Sequence, residues 1–421
     1  MNFGNLTLAS DGKVYPSVQA DAETLQLAGA GDGINTCVFN KRLWVYLGDA
    51  VKQTGSDPAT YPMLSMHACN LPIADPTQGQ IRTWITDSGA EAESSLTDEI
   101  KELAKQFPGW KSSNLCFHNQ GTIINLGEKL FKINNLLLIY SDDTPKFFNS
   151  VYYSNDGYTF KDRNDVAIPD ETDPDEALLW DWNDGDKKFQ GPNFCQTLFN
   201  QNGAPVKTSS YFETVKTIAG VPIYQNYTPV SATDTLYCYA YAQDISSLTA
   251  NGTYLARVKV YESGAWLTAT TDPIMNGNLW EFWNGYFFSS GMTTAKIITT
   301  ATEYQFGSNV QFSPHHNKFI MSRTLVDNIW IFGGNWGDWT KVEISYSDTP
   351  YGPFTGAKTL VNTDYNTYLR GVGGVSIIAI EKDKIIVAMT PSEPTATQEG
   401  NSYYNINQVG YGSYFGSVPI T

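Results

Sequence analysis

The fold is decided by three stretches: Val151-Tyr-Tyr-Ser-Asn-Asp-Gly-Tyr-Thr-Phe160, Val258-Lys-Val-Tyr-Glu-Ser-Gly-Ala-Trp266 and Ile344-Ser-Tyr-Ser-Asp-Thr-Pro-Tyr-Gly-Pro-Phe354. Each alternates like a half-buried strand, turns on a Gly- or Asp-containing tetrapeptide, and resumes with an aromatic. They recur at intervals of roughly 85–110 residues, a spacing that suits one supersecondary unit rebuilt several times. The reading is a repeated sheet whose outer hairpin is formed anew in each copy. It predicts an all-β fold, a single β-propeller, with its working residues where the blades converge.

Composition agrees with that class. Charged residues make up only 17% of the 421 positions, while 35 Gly and 20 Pro supply turns, which suits a strand-rich globule rather than a helical or disordered chain. The aromatic share of 14%, with 11 Trp and 25 Tyr, provides packing between sheets and a reserve of rings able to stack on sugars. A net charge of −16 repels phosphate backbones and anionic lipid, so neither nucleic acid nor a membrane surface is expected as partner.

Cys37, Cys69, Cys116, Cys195 and Cys238 show no CxxC or metal spacing, and an odd count cannot pair completely. Cys37, Cys195 and Cys238 lie in apolar runs, where a thiol acts as a small hydrophobe. No apolar run reaches the length of a membrane span, and residues 1–48 lack the basic, apolar and small-residue succession of a signal peptide. An extracellular or cell-surface address and a monomeric state are the expectations.

The chain is read as one domain over residues 1–421, closed by strands from its two termini, with an acidic loop over 165–190. Hairpins near 36–47, 129–140, 235–242, 310–323 and 375–389 predict five blades of roughly 80 residues. Within this scheme Lys129–Ile133 and Leu136–Tyr140 are read as two strands. Asp98–Gln106 is the one predicted helix, with apolar Ile100, Leu103 and Ala104 on one face and a stop at Phe107-Pro108.

Several constellations can carry chemistry. Asp32, in Gly29-Ala-Gly-Asp-Gly-Ile-Asn35, precedes the first strand of a hairpin, and Asp49 follows its partner Leu43-Trp-Val-Tyr-Leu-Gly48. The two ends of an antiparallel hairpin share a rim, so both carboxylates are expected at one cleft, with Gly31, Gly33 and Gly48 allowing a ligand close approach. Trp180-Asp-Trp-Asn-Asp-Gly-Asp186 alternates rings and acids. Trp180 and Trp182 are read as sugar-stacking candidates or as anchors of a solvated acidic loop. Calcium is possible there, although no cofactor is required and the spacing is not that of an EF-hand. His315 and His316 lack a zinc pattern, and adjacent strand residues face opposite ways, so one of them at most enters a pocket. Trp336, in Asn335-Trp-Gly-Asp-Trp339, extends the aromatic rim, and Gly371-Val-Gly-Gly374 reads as a strand bend.

The acid–Gly opening, the aromatic strand closing on Gly48-Asp49, Ser313-Pro-His-His316 and the turn Ser345–Phe354 resemble a family of five-bladed propellers long catalogued as a domain of unknown function, some of whose members are endo-acting D-arabinanases. The opening is also similar to the wider group of five-bladed arabinanases and xylosidases, which place one acid near the chain start. The resemblance covers the first fifty residues and about forty near residue 330. It departs at Ala50, where a hydroxyl residue is expected.

What it implies is a glycoside hydrolase acting on a polysaccharide, arabinan-like or related. Two carboxyl groups would flank the scissile bond, one of them held protonated. Asp32 and Asp49 are then the nucleophile or base candidates. Glu213 is the candidate acid, with Glu281, set among aromatics in Leu279-Trp-Glu-Phe-Trp283, as its rival, and Trp283 lines the substrate. A carbohydrate-binding lectin without catalysis, or a propeller handling a non-sugar small molecule, are the alternatives.

Overall fold

In a computed structural model, the structure describes residues 1–8, 15–16, 29–39, 42–52, 63–71, 115–139, 145–156, 160–167, 179 and 190–206. It further describes 214–218, 221–224, 234–243, 252–267, 273–300, 304–326, 339–362, 372–391 and 412–421. The predicted helix at Asp98–Gln106 lies outside the described residues. Among those described, the helices are single 3-10 turns, Pro273–Met275, Gly277–Leu279 and Met292–Thr294. None is long and apolar enough to cross a membrane.

Strands dominate, arranged in successive antiparallel sheets that follow the chain. Sheet A comprises Gly29–Phe39, Arg42–Lys52 and Met63–Leu71. Sheet B comprises Leu115–Leu126, Lys129–Ile139 and Pro145–Ser154. Sheet C is built on Gln190–Asn200, Leu236–Gln243 and Gly252–Glu262, and carries the short hairpin Glu281–Trp283/Phe288–Ser290 on its outer edge. Sheet D runs Tyr304–Ser313, Lys318–Val326, Trp339–Ser347 and Thr355–Asn362. Sheet E holds Val372–Ile380, Lys384–Pro391 and Gly412–Pro419, onto which Thr7–Leu8 and Tyr15–Pro16 also pair. A separate ribbon joins Thr214–Ile218 to Val221–Tyr224. Sheets stacked in chain order and packed through their first strands follow the plan of a β-propeller.

The three repeats that open the sequence occupy one place in this plan. Each is the third strand of its sheet (B, C or D) and the turn that leads outward. After it, Lys161 bridges back to Tyr153 in sheet B, Ala265–Trp266 pairs with Tyr261–Glu262 in sheet C, and Thr355–Asn362 completes sheet D. The turn in sheet C needs left-handed backbone at Ser263 and Gly264, φ 53° and 86°. Three of the five hairpins expected from sequence, near 36–47, 310–323 and 375–389, are the first hairpins of sheets A, D and E, whereas the stretches near 129–140 and 235–242 are each a single strand, of sheets B and C. One strand assignment changes: Lys129–Ile139 is continuous, because Asn134 and Asn135 pair across to Ser150 and Asn149 instead of turning.

The first strands of the sheets pack side by side: that of A against those of E and B, B against C, C against D, and D against E. The seams between them are filled by side chains. Between C and D the filling is aromatic, with Phe199 stacked on Tyr239 at 4.3 Å and on Phe319 at 5.4 Å. Between B and C, Ile124, Phe131, Val151, Phe194, Ala256 and Trp280 meet in one cluster. Burial of rings of this size supplies roughly 2–3 kcal/mol each.

Candidate functional site

The first strands share a departure from regular pairing, in the same part of every sheet. Against its partner, each carries a segment in excess between its N-terminal end and its middle; sheets A, C and E have a second register shift besides. The extra residue falls at Gly33 in sheet A, between Asp32 and Ile34. It falls within Gln120-Gly121 in sheet B, Gly191-Pro192 in sheet C, at Gly307 in sheet D and at Gly373 in sheet E. A β-bulge leaves a residue outside the ladder and re-aims its neighbours, and glycine in a strand suits close approach by another backbone or a ligand. The expected bend at Gly371–Gly374 is one member of this series of five.

Below the bulges, toward the hairpin turns, carboxamides tie the first strands together. The Gln196 side chain donates to the Ile123 carbonyl at 2.8 Å, joining sheets C and B. The Gln311 side chain donates to the Phe194 carbonyl at 3.0 Å and accepts from the Gln196 backbone N–H at 2.8 Å, joining D to C. Asn309 accepts from the Ile377 N–H at 3.2 Å, joining D to E. These bonds link the first strands of sheets B, C, D and E in series. Their unpaired edges are satisfied from side chains at this level, which a buried peptide group requires.

Asp32 lies within the bulge of sheet A, opposite Gly48, and Asp49 is the next residue along that partner strand. Both acids are inside strands Gly29–Phe39 and Arg42–Lys52 rather than beyond their ends, because pairing continues past them to Gly29 and Lys52. The five first strands contain a single residue of formal charge, Asp32.

The other candidates are dispersed. Glu213, Trp180, Trp182 and Trp336 lie outside the described residues, as does most of the acidic stretch. Glu281 sits at the outer edge of sheet C, paired across strands with Arg257, whose Nε lies 2.6 Å from its carboxylate. That guanidinium is held between the rings of Tyr237 and Phe288, 4.2 Å from each centroid. The carboxylate thus anchors an arginine in an aromatic sandwich, a tie between outer strands. Trp283 lies on the same edge strand and stacks on Tyr351 of sheet D, with centroids 4.1 Å apart and planes within 6°. It clamps two sheets together, and Tyr351 remains 39% exposed on the other side of the stack.

His315 and His316 occupy the turn between the first two strands of sheet D. They are at the opposite end of that strand from its bulge at Gly307, roughly 25 Å away at the usual strand rise. His315 is exposed, while His316 Nδ1 pairs with the Ser313 hydroxyl at 2.8 Å. Partial burial and the neighbouring His315 hold the His316 pKa below its ordinary value. The structure does not bring this pair to the bulged end.

Cys195 and Cys238 are free and buried, and burial raises the Cys195 thiol to about 12. Neither has the character of a nucleophile. Among the described residues no group of three His, Cys, Asp or Glu side chains converges as a metal site would require.

Sequence reasoning singled out Asp32 and read Gly371–Gly374 as a strand bend, but passed over the bulges beside Gln120, Gln190 and Gly307. Their signal was a glycine in each excess segment, Gly121, Gly191 and Gly307, among the 35 of the chain. It is visible only after the strands are paired, since the surrounding residues share no motif.

No family model matches the chain, and no curated protein does. Solved structures resemble it at low identity. A provisionally assigned hydrolase from Bacteroides ovatus aligns over 99% of this chain and 93% of its own, at 10% identity and a TM-score of 0.47. An exo-β-1,3-galactanase from Clostridium thermocellum aligns over 99% of this chain and 63% of its own, at 9% identity and TM-score 0.44. A xylan β-1,4-xylosidase from Bacillus halodurans aligns over 93% and 53%, at 9% identity and TM-score 0.43.

Proposed function

We propose that the chain is a closed, five-bladed β-propeller of glycoside hydrolase type, acting on a polysaccharide at the bulged ends of its first strands. The observation that carries this reading is the position of Asp32. It is the one charged residue on the converging strands, it stands inside a bulge, and its partner position adjoins Asp49. Closure is supported by the cyclic packing of sheets A to E through those strands.

Glycoside hydrolysis uses two carboxyl groups about the scissile bond. One protonates the leaving oxygen, while the other attacks the anomeric carbon or activates water. Asp32 and Asp49 on neighbouring paired strands are the candidates, with Glu213 as a third carboxyl from the segment preceding Thr214. Glu281 is not assigned a part, since its partner is Arg257 at the sheet edge. An extracellular or cell-surface address goes with this reading, since plant and microbial polysaccharides lie there.

A second reading, a lectin without turnover, is favoured by one specific observation. A single carboxylate on the five first strands is half of what hydrolysis needs. Release of reducing sugar from a panel of polysaccharides, measured for the wild type, Asp32→Asn and Asp49→Asn, separates the two. Turnover abolished by both substitutions in folded protein supports the hydrolase. Binding without turnover in the wild type supports the lectin, and neither binding nor turnover on any glycan overturns the carbohydrate reading.

A further inference from the structure

We propose that the five bulges together form the ligand-recognition surface, and that it reads an uncharged, polyhydroxylated chain chiefly through main-chain groups. The inference rests on the carbohydrate reading above and adds what the site selects and with which atoms. Its basis is a period that the side chains hide. In every sheet the first strand carries a segment in excess of its partner on the side away from the turn that follows it, although sheet A also has an excess on the partner strand opposite Gly31, sheet C a further one within Cys195–Thr197, and sheet E one at Ile378. Each excess segment includes a glycine: Gly33, Gly121, Gly191, Gly307 and Gly373. Five coincident bulges on five strands of otherwise unrelated sequence are not explained by the pairing within any one sheet.

The hydrogen-bonding balance gives the bulges their chemistry. A first strand pairs on one edge only, because no first strand is bonded to another within a sheet. Nearer the turns, Gln196, Gln311 and Asn309 satisfy the second edge through Ile123, Phe194 and Ile377. Gln311 and Asn309 stand on the turn side of the bulge at Gly307, and Gln196 on the turn side of Gly191-Pro192. At the bulges the ladder itself is interrupted, so peptide N–H and C=O groups are released on the paired edge as well. The result is a collection of neutral donors and acceptors where the strands converge, with glycine in place of side chains that would hold a ligand off.

Such a surface matches hydroxyl groups, each of which donates and accepts once or more. The described first strands offer no cation to an acid. The first strands carry no Lys or Arg, their single charge is the Asp32 carboxylate, and the chain as a whole bears −16. A uronate or sulfated glycan would meet repulsion without a compensating partner. A neutral pentose or hexose chain meets none.

Hydrogen–deuterium exchange of the intact chain tests this with three probes: xylohexaose, arabinohexaose and a galacturonic acid hexamer. Slowed exchange by a neutral hexamer in peptides spanning 29–34, 117–122, 190–194, 304–309 and 372–376, without comparable slowing by the galacturonate, is the expected result. Protection by a neutral hexamer confined to other segments, such as 284–288 or 314–317, overturns the proposal and leaves the carbohydrate reading standing. Equal or stronger protection by the galacturonate overturns the claimed selectivity for uncharged chains. Absence of protection by all three probes, with no glycan bound in the polysaccharide panel, overturns the carbohydrate reading itself.

Discussion

The backbone N–H of Gln196 donates to the side-chain oxygen of Gln311, 2.8 Å away, across the seam between sheets C and D. The same carboxamide returns a bond to the Phe194 carbonyl at 3.0 Å. One buried side chain, 4% exposed, therefore satisfies two main-chain groups of a strand belonging to another sheet. Packing alone does not set how one sheet is placed along its neighbour, since apolar surfaces slide. Paired, directional bonds do.

Replacing Gln311 with Leu keeps the volume and leaves the Gln196 N–H and the second lone pair of Phe194 without that partner. Each buried group so exposed costs about 1–3 kcal/mol. Urea unfolding of Gln311→Leu is expected to show a loss of about 2–4 kcal/mol with an unchanged slope. A loss below about 0.5 kcal/mol would show that the seam is held by its aromatic filling.

Gly127 gives a second stability prediction. It turns the first hairpin of sheet B with φ of 62°, and a Cβ there would lie 2.9 Å from Cδ1 of Trp266 in sheet C. Left-handed backbone costs an L-residue roughly 1–2 kcal/mol, and the indole must also shift. Gly127→Ala is expected to lose about 2–3 kcal/mol in chemical denaturation. In the double variant with Trp266→Ala the steric part disappears, so the two losses are expected to be less than additive.

These cases show what the sequence made legible. Turn chemistry at Asp156-Gly157, Ser263-Gly264 and Pro350–Pro353 exposed the third strand of three sheets, because a tight turn needs particular residues at particular positions. The first hairpins of sheets A, D and E could be found for the same reason. The continuity of Lys129–Ile139 was hidden, since Asn134-Asn135 reads as a turn and only the partners Ser150 and Asn149 say otherwise. At the site, Asp32 stood out by its flanking glycines. Trp283 and Glu281 looked like parts of a site because rings and acids cluster around them, but their clustering joins sheet edges. The bulges escaped because a register shift belongs to two strands at once, and no single strand displays it.

Lys132 carries a prediction of opposite sign. Its side chain is fully buried, with the amine 4.4 Å from the centroid of Phe160, and desolvation holds its pKa well below the usual lysine value. The unfolded chain binds that proton up to its ordinary pKa of 10.5, whereas the folded chain gives it up earlier. Stability therefore rises with pH between the folded and unfolded values. Lys132→Met removes the penalty, worth roughly 1.4 kcal/mol for each pH unit by which folding lowers the pKa. The variant is expected to exceed the wild type in unfolding free energy at pH 7, with the gain shrinking toward pH 10. An equal or lower stability at pH 7 would show that the amine's surroundings compensate its burial.

The buried thiol and phenol groups of sheet C act the other way at alkaline pH. Burial raises Cys195 from 9.0 to about 12 and Tyr239 from 10.0 to about 12, and raises Cys238 and Tyr241 in the same direction. Well below pH 9 all four are neutral in both states and their contribution is whole. Above it the unfolded chain releases protons that the folded chain keeps, so unfolding is favoured, and stability falls as pH rises from 9 toward 12. Cys195→Ala is expected to make that decline shallower while leaving a cavity cost that does not depend on pH. The same burial predicts chemistry: iodoacetamide at pH 8 should leave Cys195 and Cys238 unlabelled in native protein and label both in urea, as read by peptide mass spectrometry. Labelling of Cys195 in the native state would require the aromatic seam of Phe199, Tyr239 and Phe319 to open, and would show that sheets C and D part on the timescale of the reaction.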